Sequence, residues 1–169
     1  MMKSAKYWIE KLELIPHPEG GYFKEAFRSE EGISKTALPE RYTSGRNYYS
    51  SIYFLLKNDD ISAFHRLKSD EVWHHYEGCS VELHVLSEGG GYKLLKLGKD
   101  LENGETPQVK MKKGDWFGAE LRDKRRYALT GCTVAPAFEY EDFEFGRKSE
   151  LLKEYPEQKE VIERLGIKK

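Results

Sequence analysis

The sequence predicts an all-β sandwich or barrel with a short helix in front and helices behind, on three observations. Short segments of period-two alternation recur along the chain, and turn signals such as Asn58-Asp59-Asp60 and Asn103-Gly104 separate them. The 11 tyrosines, 8 phenylalanines and 3 tryptophans suit pleated, half-buried strands. Strands do not alternate with helices, so a Rossmann-type parallel sheet is excluded.

In chain order, Ser4 to Leu14 has helical spacing with Ser4 as N-cap, and Pro16 and Pro18 stop it. His17-Pro18-Glu19-Gly20-Gly21 turns into a strand ending near Arg28. Ser29 to Arg46 is polar and lacks a period, so it reads as a long loop of the kind that serves as a lid or a partner-exchanged arm. A strand over Tyr48 to Leu56 leads into alternating runs on both sides of Lys68-Ser69-Asp70, which predict a β-hairpin. Val81 to Leu86 and Tyr92 to Leu97, joined by Gly89-Gly90-Gly91, predict a second hairpin. Gln108 to Met111, Asp115 to Leu121, Tyr127 to Val134 and Phe138 to Phe145 complete the strands. After Gly146 the pattern turns helical, with Leu151, Leu152, Tyr155, Val161, Ile162 and Leu165 forming an apolar side to pack on the sheet's outside.

The 169 residues fit a single domain spanning 1–169. With 28 basic and 29 acidic residues, no global field favours nucleic acid or an acidic membrane. The two cysteines, Cys79 and Cys132, lack metal or redox spacing, and the N-terminus lacks a signal-peptide core, so a cytoplasmic protein with free thiols is expected. The longest apolar run, Ile52 to Leu56, is far short of the roughly 20 residues that cross a bilayer.

Ser62 to Gly78 holds three of the five histidines. His65 alternates in line with Ile61, Ala63 and Leu67, so it points inward; beyond the turn, Glu71, Trp73 and His75 share one face. In a hairpin, His65 would sit opposite Trp73, with Glu71 and His75 as diagonal neighbours. The stretch resembles the first motif of the cupin superfamily: His65, Glu71 and Gly78 keep its spacing, while Leu67 stands at the second histidine and Asp59 at the leading glycine. Of the second motif only Gly114 is kept, with Phe117 at the histidine and Leu121 at the asparagine. Pro18-Glu19-Gly20-Gly21-Tyr22-Phe23, Ser51 to Leu56, Phe64 to Glu71 and Gly131 to Pro136 together resemble the cupin family labelled predicted sugar epimerase. That resemblance implies a cupin-type jelly-roll β-barrel and a small-molecule pocket.

Most cupins hold a metal through three histidines and a glutamate. Here two of the four positions are Leu67 and Phe117, and His75 lies about 13 Å along the strand from Glu71, so no metal and no other cofactor is expected. Metal-free proton transfer is one reading: His65 removes a proton beside a carbonyl, Glu71 orients its ring, His75 is a further candidate, and Tyr53 or Tyr140 returns the proton. A binding module for a sugar or nucleotide-like ligand is another, with Trp73, Trp116 and Phe117 as stacking faces and Arg28, Arg46 or Arg66 for a phosphate. A weakly metal-dependent cupin enzyme is the third. A homodimer is expected, formed through the strand Tyr22 to Arg28 or the loop after it.

Overall fold

Period-two segments leave each strand with one apolar face, and the chain buries those faces by setting two antiparallel sheets against each other. The computed structural model describes residues 3–89 and 91–168. One sheet runs in the order β1 (Ile15–Pro16), β2 (Tyr22–Arg28), β5 (Ser50–Lys57), β12 (Tyr127–Ala135), β7 (Asp70–Gly78), β10 (Gln108–Met111). The facing sheet runs β13 (Phe143–Phe145), β6 (Ile61–Leu67), β11 (Trp116–Leu121), β8 (Val81–Ser87), β9 (Gly91–Leu97). Within the long loop, β3 (Gly32–Ile33) and β4 (Arg46–Asn47) form a small ribbon. The layout is that of a jelly roll, two facing sheets rather than one closed barrel.

Phe54, Leu56, Trp73, Leu83, Phe117 and Leu121 fill the space between the sheets. The terminal helices cover the outsides. In α1 (Ala5–Leu12) the Ser4 hydroxyl accepts from the Tyr7 amide at 3.2 Å, and Trp8 and Leu12 pack toward Leu55 and Leu129. At the other end, α2 (Lys148–Glu154) and α3 (Lys159–Leu165) place Leu151, Ile162 and Leu165 against Phe64, Leu86 and Trp116.

Two expectations need correction. The segments around Lys68-Ser69 do not form a hairpin: β6 and β7 lie in opposite sheets. The backbone at the corner is engaged elsewhere, for the Leu67 carbonyl accepts from Gly114 at 3.0 Å and the Lys68 amide donates to Asp142 at 3.2 Å. Tyr42, reaching in from the long loop, holds the corner through a 2.8 Å hydroxyl contact with Ser69. Two inward faces that a hairpin would have laid side by side therefore look at each other. The last strand is also shorter than expected, because a 3₁₀ turn at Tyr140–Asp142 precedes β13. There the Asp142 carboxylate accepts from the buried Arg46 guanidinium at 2.7 and 2.8 Å. The second hairpin is present as β8 and β9; Gly90 of its turn lies outside the described residues.

Candidate functional site

Near the corner between β6 and β7 the two sheets part around a cavity of about 170 Å³. His65 and Glu71 both line it, one from each sheet. His65 is 3 % exposed and fixed by its neighbours: Phe117 meets it edge-on at 4.2 Å and Phe143 stacks at 5.1 Å. Its Nδ1 lies 2.7 Å from the Ala63 carbonyl. A carbonyl only accepts, so Nδ1 carries the proton and the neutral ring keeps its free lone pair on Nε2.

A third group completes the floor. Glu19 comes from the turn before β2, and its Oε2 lies 3.2 Å from His65 Nδ1 while Oε1 accepts from the Ser62 hydroxyl at 3.0 Å. The local chain explains its position. Gly20, at φ +114, presses so closely on β6 that a Cβ there would stand 2.0 Å from the Ile61 carbonyl oxygen. The Ala63 amide donates to the Glu19 carbonyl at 2.9 Å, which extends β6 pairing onto the turn and inserts the carboxylate beside His65. The His17 ring, with Nδ1 accepting from the Glu19 amide at 3.2 Å, lines the same wall.

Burial sets the protonation of the floor. It pushes Glu71 up to about 7, helped by the charge of Glu19 and opposed by His65, Trp73 and Cys132. Glu19 likewise rises to about 7 through burial, against the pull of His17 and Ser62. Desolvation lowers His65 below the ordinary imidazole value although the Glu71 charge and the Ala63 carbonyl resist, and it lowers His17 as well. Burial raises the Cys132 thiol well above its usual range, so it is a neutral wall. Near neutral pH the floor thus pairs unprotonated imidazoles with carboxyls poised between their two forms, the arrangement of a general base beside a general acid.

The walls are apolar, with Phe23, Phe138 and Phe143 among them, and Tyr140, 61 % exposed, stands at the mouth. Arg28 also borders the mouth, where it donates to Glu25 at 2.9 Å, Glu139 at 2.9 Å and the Phe138 carbonyl at 3.0 Å.

The comparisons with known proteins fit this geometry. Residues 6–146 match the family described as Cupin superfamily (DUF985). The chain belongs to this cupin family. It is 36 % identical to protein SO0799 from Shewanella oneidensis, whose crystal structure superposes with a TM-score of 0.90 over 99 % of this chain and 100 % of that one. A hypothetical protein from Leishmania major is 32 % identical, with a TM-score of 0.86 over 98 % and 100 % of the two chains. The uncharacterized protein YML079W of Saccharomyces cerevisiae is 30 % identical over 160 residues, 89 % of this chain and 79 % of its own.

The cupin fold raises the question of a metal between the sheets, and the donor set does not fit one. Leu67 and Phe117 are buried in the apolar cluster at two of the four ligand positions, and no three of His17, Glu19, His65 and Glu71 bring ligand atoms within 4.8 Å of one another. Among the described residues, the three ligating side chains that do come within 4.8 Å of one another are Glu82, His84 and Glu120, on the outer side of the facing sheet. Lys124 and Arg164 already bind that Glu120, at 2.7 and 2.9 Å.

Of the side chains singled out from sequence, His65, Glu71, Tyr140 and Arg28 line the cavity, and Phe117 buttresses His65. Trp73 lies in the core beside Glu71 rather than offering a face to a ligand. The others lie elsewhere. His75 shares the inner face with Glu71 but opens on a different cleft beside Cys79, whose carbonyl accepts from its Nε2 at 3.0 Å. Tyr53 packs toward α1, Trp116 packs under the C-terminal helices with Arg66 over its outer ring face at 4.2 Å, and Arg46 is locked to Asp142 and Glu141. Sequence reasoning missed Glu19 and His17 as site residues; the paired glycines after Glu19 were the available signal, since they permit the close backbone approach. No helix among the described residues is long and apolar enough to cross a membrane.

Proposed function

We propose that this cupin is an isomerase or epimerase acting on a small hydroxy-carbonyl compound of sugar type by metal-free proton transfer. One observation carries the reading: His65 is fixed as the Nδ1–H tautomer at the floor of a cavity it shares with a buried carboxyl near its midpoint. His65 Nε2 takes the proton from the carbon beside the carbonyl, and protonated Glu71 gives its proton to the carbonyl oxygen, leaving an enediol, an imidazolium and a carboxylate. Return of a proton to carbon and of the other to Glu71 regenerates both groups. In an epimerisation Tyr140 at the mouth is the candidate donor from the opposite face, and exchange with solvent then returns a proton to its phenolate and removes the one left on His65. Glu19, whose Oε2 lies 3.2 Å from Nδ1, faces the ring and steadies the imidazolium.

The cavity's size limits what reacts there. At roughly 30 Å³ per water, about 170 Å³ takes five or six waters or one small ring, so any larger attached group must lie outside Tyr140. The test incubates the protein in deuterated water with dihydroxyacetone, xylulose and glucosamine and follows exchange of the carbon-bound hydrogen by NMR. Exchange lost in His65→Asn is expected for at least one compound. Equal exchange with both proteins, or none from compounds that perturb the His65 imidazole signals, would overturn the assignment. In that second case the cavity would be a binding site without turnover, for which its aromatic walls already provide.

A further inference from the structure

The charges around the cavity say more about its occupant. Four carboxylates line it, Glu19 and Glu71 at the floor and Glu25 and Glu139 at the rim, against a single guanidinium, Arg28. Arg28 has no donor to spare for a phosphate. Its Nε and both terminal nitrogens are directed to Glu25, to Glu139, to the Phe138 carbonyl and, at 3.4 Å, to Asn47. Even with both floor carboxyls protonated, the lining keeps a net negative charge, and anions are repelled in a confined, poorly solvated space.

Two further features point to a cation. Glu71 is 6 % exposed with its Oε2 buried, and the donors that bear on this carboxyl, the Trp73 indole and the Cys132 thiol, are neutral, so it meets no lysine or arginine when it ionises. Phe23, Phe138, Phe143 and Tyr140 supply the aromatic surroundings in which an ammonium group is stabilised once it leaves water.

We propose that the cavity selects a small compound bearing a primary ammonium group, an amino alcohol or amino ketone, and excludes phosphate esters. This rests on the proton-transfer reading above for the site alone: an amine held on ionised Glu71 occupies the group which that reading uses as its acid, so it binds there without being turned over. The ammonium donates to the buried Glu71 oxygen, the hydroxyl or carbonyl end lies toward His65, and the rim carboxylates draw the cation in. Such a ligand favours the ionised form of Glu71, so its binding releases a proton where that carboxyl was protonated; the groups facing Glu71 are His65, Glu19, Trp73 and Cys132.

The probes are 2-amino-1,3-propanediol, glycerol and glycerol 3-phosphate, which share a three-carbon frame and differ in charge. Titration calorimetry at pH 7, in two buffers of different ionisation enthalpy, gives affinity and proton release; imidazole NMR signals of His65 report where each binds. The amine is expected to bind at least ten-fold tighter than glycerol with release of about half a proton, the share of Glu71 protonated at pH 7, and glycerol 3-phosphate more weakly than glycerol. Glu71→Gln is expected to abolish the proton release, and Glu139→Gln at the rim, which leaves the floor intact, to reduce the preference for the amine several-fold. Tighter binding of glycerol 3-phosphate than of the amine, with His65 signals shifted, refutes the ammonium ligand and leaves the cavity as the site. Binding that leaves His65 unperturbed refutes the site reading itself, and failure of all three probes to bind overturns the proposal as well.

Discussion

Replacing Glu71 by glutamine is expected to stabilise the protein in alkaline solution relative to its effect in acid. The side chain keeps its volume but loses a carboxyl that burial raises from 4.5 to about 7. A carboxyl raised on folding binds its proton more tightly in the folded chain, so its contribution is fully present below about pH 4.5 and is lost as pH rises through about 7. At about 1.4 kcal/mol per pH unit, ionising Glu71 in the fold costs about 3 kcal/mol by pH 8, of which less than about 1 kcal/mol has appeared at pH 5. Any cost of burying the glutamine amide is the same at both values, so the difference between pH 5 and pH 8 isolates the charge. The variant's stability relative to the parent should therefore improve by about 2–3 kcal/mol between these values, or roughly 5–10 °C in melting temperature for a chain of this length. Glu19 adds to the trend, because it loses a like-charged neighbour. Urea unfolding followed by tryptophan fluorescence from pH 5 to pH 8 measures it. A stability difference that stays flat with pH, or that turns against the variant at pH 8, would show that Glu71 is not a carboxyl poised near neutrality.

Two other outcomes are expected. Arg46→Ala should cost about 3 kcal/mol in urea unfolding, the low end for a broken buried pair, because it leaves the buried Asp142 carboxylate with the half-buried Lys68, at 3.4 Å, as its cation; a loss below about 1 kcal/mol would mean that the pair does not hold the long loop. We also expect a homodimer: β1 covers only the start of β2, and Phe27 farther along that strand is 63 % exposed, so light scattering at micromolar concentration should give twice the mass of one chain, and a single-chain mass would refute it.

What the sequence revealed about the fold was the facing of residues, because facing is a local property. Alternation along β7 places Glu71, Trp73 and His75 on the inner side, and all three are buried there while Val72, His74 and Tyr76 are more exposed. Pairing is not local. The two residues at the corner would suit a hairpin, and only Gly114, Asp142 and Tyr42, all distant in sequence, decide that β6 and β7 part to opposite sheets. His65 and Glu71 still share a cavity, because turning the strands from side by side to face to face keeps both side chains inward.

The same distinction explains the basic residues. Arg28, Arg46 and Arg66 read alike in sequence, as cations available to a phosphate, because the chain around each does not show which acid it will meet. Glu25, three residues before Arg28, is a local partner, but the other acids come from one late stretch: Glu139 reaches Arg28, Glu141 and Asp142 reach Arg46, and Glu144 reaches Arg66. As this stretch closes over the mouth, it both engages the arginines and brings Phe138, Tyr140 and Phe143 to the cavity. The placement of this stretch therefore engages Arg28, the arginine that lines the mouth, and supplies the aromatic lining. That coupling is why the finished site favours a different ligand charge from the one its arginines suggested.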